Sequence, residues 1–370
     1  MPPPEDVLWS SDAPLARRAR VGPLAKWLIG IGIALVAVLV AAMAIHVPYY
    51  TISPGSSLDV NDRVTIDGAS TYPADGELLL LFVRQSANVS LLKYLQAKLD
   101  PDIDEFPSEE FTGGQSPEEV NVQSDADMAL AQIAAKKVAL EQVGYDVPLA
   151  GSGVVVLAVL PSRPAHGVVE AGDVILTVDG VEIHEADDLG EEVRRRSAGD
   201  ELTLTIEREG KPETKTVGVE LADDGTPVIG VYVSPRYDFP IDVDIDTRSI
   251  GGPSAGLAMT LSIIDTLTPG ELTGGLTVAI TGTIAPDGSV GEIGGLSQKT
   301  VAARSADADL FIVPKCTAEA TRTSCEADLE HARDRADGLR IVPVANVDEA
   351  LRALAEAGGD PVQNAAASLR

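Results

Sequence analysis

Histidine, cysteine and aromatic residues are all scarce in this chain of 370 residues. It has four histidines, two cysteines and 4% aromatic residues. No spacing of histidine and cysteine completes a metal-ligand set, and the zinc-binding motif H-E-x-x-H is absent. We therefore expect no metal site, which excludes the intramembrane metalloproteases.

Basic residues are few as well, since 28 Lys and Arg stand against 57 Asp and Glu and give a net charge of −29. A chain this acidic repels nucleic acids, so we expect no nucleic-acid partner. The phosphate-binding motif G-x-x-x-x-G-K-[ST] is also missing, because the nearest segment, 294–300, has Gln298 in place of the second glycine. We therefore expect no cofactor, and any hydrolysis should be independent of ATP.

One long apolar run, residues 27–45, is present near the N-terminus. About 20 such residues cross the hydrocarbon core of a bilayer. The basic residues just before the run are Arg17, Arg18, Arg20 and Lys26. The positive-inside rule then predicts a cytoplasmic tail at 1–26, a single membrane span at 27–45 and an extracytoplasmic remainder in the cell membrane. A cleaved signal peptide, with a site near Ala44, is the alternative.

The two cysteines, Cys316 and Cys325, lie nine positions apart in a polar segment. Outside the cytoplasm such a pair is expected to form a disulfide. Two free thiols are the alternative.

The segment after the predicted membrane span, residues 46–148, is interpreted as a region of strands and helices. Residues 100–124 are acidic, contain Pro and Gly and have few large apolar side chains, which predicts a loop. Residues 126–143 show helical periodicity and are followed by Gly144, which is expected to end the helix.

Residues 149–221 show a different pattern, that of alternating short strands with one helix. Asp179-Gly180 is a strong hairpin turn after an apolar run. The order of elements and the segment 171–180 resemble a PDZ domain of the bacterial protease type. PDZ domains bind extended peptides, often C-termini, by strand addition. The resemblance implies substrate binding beside a glycine-containing loop, for which the best match is Gly153, Val154, Val155 and Val156. The alternative is that these valines form only a core strand.

Residues 226–358 interleave strands and helices, which predicts an α/β or α+β domain, followed by a tail at 359–370. Within it, Ser254 follows Gly251, Gly252 and a proline at the start of an apolar helix. Helix starts offer backbone N–H groups that can bind an oxyanion, and the glycines allow a peptide to approach closely. Lys299 lies in a segment of few charges, where burial can lower its pKa enough for it to act as a base.

Three segments, 251–260, 281–284 and 291–299, resemble the proteolytic domain of the Lon family in order and spacing. With the apolar run and the PDZ-like unit, the chain looks similar to membrane-anchored, PDZ-containing Lon-like serine proteases. The resemblance implies that Ser254 is the nucleophile, that Lys299 is the base and that Thr281 orients this lysine. Lon enzymes usually carry Glu where Thr283 stands here, so the resemblance leaves that acid's role unassigned.

The sequence thus predicts a Lon-type α/β (α+β) proteolytic domain plus a PDZ domain, preceded by one transmembrane helix. The expected function is a serine endopeptidase that acts on protein or peptide substrates, which the PDZ domain selects by their C-termini. A non-catalytic PDZ adaptor at the membrane and a tail-specific Ser–Lys protease are the alternatives, and a homo-oligomer stays open.

Overall fold

The computed structural model describes residues 22–247 and 250–366. The predicted basic residues Arg17, Arg18 and Arg20, and the end of the predicted C-terminal tail, lie outside these ranges. The first element is helix α1, Pro23–Ala44, which is exposed along its whole length and has a mean hydropathy of 2.6 over its most apolar window. By length and composition α1 could cross a membrane, and a signal sequence would share these properties.

The described residues contain both strands and helices. The strands are β1 (Tyr49–Asp59), β2 (Val64–Asp67), β3 (Glu77–Ser86), β4 (Asp104–Pro107), β5 (Leu149–Val159), β6 (Val174–Val178), β7 (Val181–Glu182), β8 (Glu201–Arg208), β9 (Lys211–Gly218), β10 (Glu220–Leu221), β11 (Pro227–Val228), β12 (Val231–Tyr237), β13 (Asp242–Ile245), β14 (Thr277–Ile280), β15 (Thr283–Ile284), β16 (Val290–Gly291), β17 (Leu310–Pro314) and β18 (Arg340–Val344). The helices after α1 are α2 (Leu91–Ala97), α3 (Ser108–Thr112), α4 (Pro117–Gln142), α5 (Ala186–Arg194), α6 (Gly256–Leu267), α7 (Leu296–Ser305), α8 (Arg322–Asp334) and α9 (Val347–Ala357). Short 3-10 turns occupy Asn61–Arg63 and Pro253–Ala255.

The larger unit is built on a mixed six-stranded sheet with the order β18-β17-β14-β3-β1-β4. Strands β18, β17, β14 and β3 are parallel, whereas β1 is antiparallel to both β3 and β4. Successive residues of a strand point to opposite faces of the sheet. Helices α4, α6 and α9 accordingly cover one face and share a core with Leu80 and Ile312, while α7 and α8 cover the other face beside Leu81 and Phe311.

This sheet changes the interpretation of residues 46–148. Strand β3 lies directly beside β14 in parallel register, with Leu80 opposite Ile280. The predicted N-terminal region is therefore part of the same folded unit as the residues after 238. The sequence could not show this because β3 and β14 are almost two hundred residues apart and pair only through tertiary packing.

The prediction of a loop at 100–124 is wrong. This stretch contains β4 and α3, and helix α4 already begins at Pro117. A capping box starts the helix, because the Ser116 side chain accepts a hydrogen bond from the Glu119 N–H and the Glu119 side chain accepts one from the Ser116 N–H. Serine followed three residues later by glutamate is a start signal that the sequence offered. The predicted end at Gly144 agrees with the helix end at Gln142.

The smaller unit is a sheet with the order β12-β5-β6-β8-β9, in which β7 also pairs with β6. Its core joins Val154, Ile175 and Leu204 of the sheet to Leu189 and Val193 of α5. The sheet extends to Tyr237, so the unit ends later than the predicted boundary at 221. Its two ends are adjacent, since the Asp238 N–H donates to the Pro148 carbonyl at 2.9 Å. The smaller unit is therefore an insertion within the larger one.

Candidate active site

Ser254 lies in the 3-10 turn that directly precedes α6, where it is half-buried. Gly252 enters this turn with a φ of +85°, a conformation that favours glycine. A Cβ atom at Gly251 would lie 2.4 Å from Oγ of Ser124 on α4, so a larger residue there would force the Ser124 side chain to move. The predicted pair of glycines thus lets the serine sit at the start of the helix and at the edge of a cleft.

Helix α7 carries Lys299 and places its side chain against Ser254. Its Nζ lies 2.8 Å from Oγ of Ser254 and 2.9 Å from Oγ1 of Thr281. Lys299 is only 2% exposed and Thr281 is fully buried. The structure therefore brings together all three residues for which the sequence suggested catalytic roles.

Thr281 connects the lysine to the backbone of the serine. It follows β14, and its hydroxyl donates to the carbonyl of Ser254 at 3.4 Å while it accepts a hydrogen bond from Lys299. The N–H of Gly282 donates to the same carbonyl at 3.0 Å. These bonds fix the distance between the serine turn and the end of the strand, and with it the position of Lys299.

Burial is what sets the protonation state of Lys299. Loss of hydration lowers the pKa of its amino group from 10.5 to about 7. A substantial fraction of the lysine is then neutral near neutral pH, with a lone pair that can accept the proton of the Ser254 hydroxyl. A lysine with a pKa near the working pH can serve as a general base.

The dyad opens into a cleft of about 580 Å³. Apolar side chains from the N-terminal half of the chain, Ile52, Val83 and Phe111, form part of its wall, and Thr283 and Glu292 face them. No sequence pattern pointed to Ile52, Val83 and Phe111, because strand pairing between distant segments brings them to the cleft. Thr283 also lines the cleft. It stands where the Lon family, which the chain resembles, usually has a glutamate.

The residues suggested for peptide binding lie in β5, which is an interior strand of the smaller sheet and not an edge strand. Strand β5 is paired on both sides, since Val154 lies opposite both Ile175 of β6 and Pro235 of β12. Val154 and Val156 are buried in the core. A peptide could therefore add to β5 at Gly153, Val154, Val155 or Val156 only by displacing a strand, which favours the alternative of a core strand. The edge strands of this sheet are β12 and β9, and β12 packs beside α5.

Cys316 and Cys325 are joined in a disulfide, with 5.7 Å between their Cα atoms. The bond ties the chain that follows β17 to helix α8. Cys325 also borders a small cavity of about 90 Å³ together with Glu292 and Ile293, which line the cleft as well. The disulfide therefore stiffens a segment directly behind one wall of the cleft.

Comparisons with known proteins find two family matches, in successive parts of the chain. A family model described as "PDZ domain" matches residues 132–219, and one described as "Lon protease (S16) C-terminal proteolytic domain" matches residues 238–356. The Lon protease of Chloroflexus aggregans is 29% identical over 197 residues, which are 52% of this chain and 23% of that protein. The Lon protease of Neorickettsia sennetsu is 35% identical over 115 residues, 31% of this chain and 13% of that protein.

Among solved structures, the PDZ domain of the SdrC-like protein from Listeria monocytogenes is 25% identical. It covers 23% of this chain and 92% of that chain, with a TM-score of 0.22. The chain spans about a quarter or less of the length of the curated relatives named above.

Proposed function

We propose, from the premise that this chain joins a PDZ domain to a Lon-type serine protease domain, that it is a membrane-anchored endopeptidase with a Ser–Lys dyad. In this proposal Ser254 is the nucleophile, Lys299 is the general base and Thr281 orients the lysine. The observation that carries it is the contact of 2.8 Å between Ser254 Oγ and a lysine amino group that is almost wholly buried.

The first half of the reaction follows from this geometry. Lys299 Nζ takes the proton of the Ser254 hydroxyl as Oγ attacks the carbonyl carbon of the scissile peptide bond. The carbonyl oxygen becomes an oxyanion, for which we expect a backbone N–H donor from the serine turn. Gly252 is not that donor, because its N–H donates to the Ser124 carbonyl, and Pro253 has no N–H. When the C–N bond breaks, the protonated Lys299 donates its proton to the leaving amine and an ester on Ser254 remains.

Water completes the cycle. Lys299, neutral again, accepts a proton from a water molecule whose oxygen attacks the ester carbonyl. The C–O bond to Ser254 then breaks, and the lysine returns the proton to Oγ. Throughout, the bond from Nζ to Thr281 holds the amine within reach of Oγ, which is the role of a positioning residue.

The test of the proposal is the covalent intermediate. Incubation of the full chain with an activated ester substrate should add the acyl mass to the peptide that contains Ser254, as read by mass spectrometry. Ser297→Ala should still be acylated, because Ser297 lies on α7 outside the dyad, whereas Ser254→Ala should not. A wild-type chain that shows no acylation would instead support the non-catalytic PDZ adaptor.

The anchor and its orientation belong to the same proposal. Helix α1 has the length and the composition for a span, and the basic residues precede it, which favours an extracytoplasmic protease domain. The disulfide between Cys316 and Cys325 fits an oxidising compartment.

Selection of substrates by the PDZ domain is assigned here to strand β12. It lies at the edge of the sheet beside α5, so an extended peptide can add to it as a further strand. The segment before it contains Gly230, which has a φ of +86° and where a Cβ atom would lie 2.0 Å from Cβ of Arg163. A side chain at this position must therefore shift the segment that leads into β12.

Gly230→Ala is expected to raise KM for a protein substrate with an apolar C-terminus, by roughly tenfold, and to leave hydrolysis of a short fluorogenic peptide unchanged. The reason is that tethering raises effective concentration only for substrates that reach both sites. Gly210→Ala is the matched control, because Gly210 also has a positive φ, of +73°, but has no atom within 4 Å of the added Cβ. Equal changes for long and short substrates would rule out tail capture.

A further inference from the structure

Helix α2, which packs against the C-terminal end of α1, carries an exposed stripe of leucines. Leu95 is 49% exposed and Leu99, just after the helix, is 87% exposed. Leu99 is the most exposed large apolar side chain in the described ranges. Leu92, which is half-buried, lies three positions before Leu95 and therefore on the same face of α2, and Leu99 follows four positions later in the turn after the helix. Ala97, on the opposite face, is buried against the protein.

The stripe lies next to the end of α1 because the backbone fixes it there. The N–H of Leu91 donates to the carbonyl of Ile45, the residue that caps α1, at 2.8 Å. The N–H of Val47 donates to the carbonyl of Val89 at 2.9 Å. Rings of Tyr49 and Tyr94 pack with centroids 4.6 Å apart. Helix α2 therefore cannot move away from the end of α1 without breaking this corner.

Polar groups border the stripe on both sides. Lys93 and Lys98 are exposed and lie on opposite flanks of the leucine face, and the long side chain of Lys93 can extend toward head groups. Lys98 also pairs with Glu105 and lies over the ring of Tyr94. An apolar face with basic flanks is the pattern of helices that lie in the interfacial region of a bilayer.

We infer that α2 is a membrane-surface helix whose leucine stripe, Leu92, Leu95 and Leu99, enters the outer interfacial region of the same bilayer that α1 spans. This inference rests on the proposed anchor. The hydrogen bond from Leu91 to Ile45 holds α2 at the end of the proposed membrane span. Helix α2 therefore lies at the bilayer surface, and the bilayer is what covers its leucine stripe.

The arrangement would also fix the cleft close to the membrane. Strand β1 leaves the corner formed by α1 and α2, and its residue Ile52 lines the cleft. The residues from Ile45 to Ile52 can span at most about 24 Å. With both α1 and α2 held by the bilayer, the protease domain has a set tilt, and cleavage is directed to segments near the membrane surface.

The test uses the full chain in a phosphatidylcholine nanodisc and an environment-sensitive NBD label attached through a new cysteine. The only two cysteines of the sequence are joined in the disulfide, so a Leu99→Cys variant has one reactive thiol. Leu149→Cys is the matched control, because Leu149 is 45% exposed but belongs to β5 of the smaller unit, which follows the C-terminal end of α4. Val38→Cys, inside α1, reports on the anchor itself.

The label at position 99 is expected to show blue-shifted emission and to be quenched by brominated acyl chains, as should that at position 38, whereas the label at 149 should show neither change. Quenching at 38 without quenching at 99 would overturn the surface role of α2 and leave the anchor intact. Absence of quenching at both would overturn the anchor as well. A blue shift at 99 that brominated lipid does not quench, but that rises with two chains per disc, would assign the stripe to a second copy and reject the inference.

Discussion

Ser254→Ala is expected to lower kcat/KM for peptide hydrolysis by at least about a thousandfold, a loss of transition-state stabilisation of about 4 kcal/mol. The alanine removes the only atom that can form the ester, and the fold should persist because Ser254 Oγ is not part of a core. Lys299→Arg should be as inactive, since a guanidinium stays protonated and cannot accept the serine proton. Initial rates on a fluorogenic peptide measure both.

Lys136→Arg is the control for the lysine variant. Lys136 is a second partly buried lysine, on α4, and burial lowers its pKa as well, but it does not line the cleft. It should retain full activity. Thr281→Val should be intermediate, because it removes the bond that positions Nζ but leaves both reacting groups. Substantial turnover by Lys299→Arg would contradict the assignment of Lys299 as the base.

The same assignment fixes the pH dependence of the wild-type enzyme. Because the pKa of Lys299 is about 7, the fraction of neutral amine rises as the pH increases through 7. We expect kcat/KM to rise with a midpoint near this value and to level off above pH 8. Thr281→Val should move that midpoint, which a purely structural role for Thr281 would not do.

Lys299→Met is expected to stabilise the protein while abolishing activity. The pKa of Lys299 is 10.5 in the unfolded reference and about 7 in the folded state, so between these values the unfolded chain binds more protons. Folding at pH 8 must therefore release this proton, at a cost of roughly 3 kcal/mol. A methionine of similar shape removes this cost, and we expect a gain of about 2–3 kcal/mol after the lost polar contacts are counted.

The measurement is the thermal midpoint in mild detergent, which should rise on the order of 5–10 °C at pH 8. The sign of the pH effect is the sharper check. The stability of the wild type should increase from pH 7 to 10 as the unfolded state loses its extra proton, so the gap to Lys299→Met should narrow over this range. Lys136→Met, whose lysine is less buried, should give a smaller gain. A gap independent of pH would mean that Lys299 is not held at a lowered pKa.

The resemblance of short segments to known families was enough to predict the two domain types. The predicted combination of a PDZ domain with a Lon-type proteolytic domain is confirmed by the two family matches. The start of α4 shows two local signals in conflict, because the acidic composition of 100–124 predicts a loop whereas Ser116 and Glu119 form the capping box that begins the helix. Both cases concern information that lies within a few neighbouring residues.

The sequence by itself determined the chemistry that depends on residue type and short spacing: the glycines that let Ser254 stand at a helix start, the scarcity of charge around Lys299 and the apolar run of α1. Only the tertiary structure decided which strands meet. The insertion of the PDZ domain, the wall of the cleft formed by Ile52 and Phe111, and the position of β12 beside β5 at the edge of the sheet all arise from pairings between distant segments. Such pairings depend on how whole faces of sheets and helices pack together. The residues of a single strand do not show whether another strand pairs with its edge.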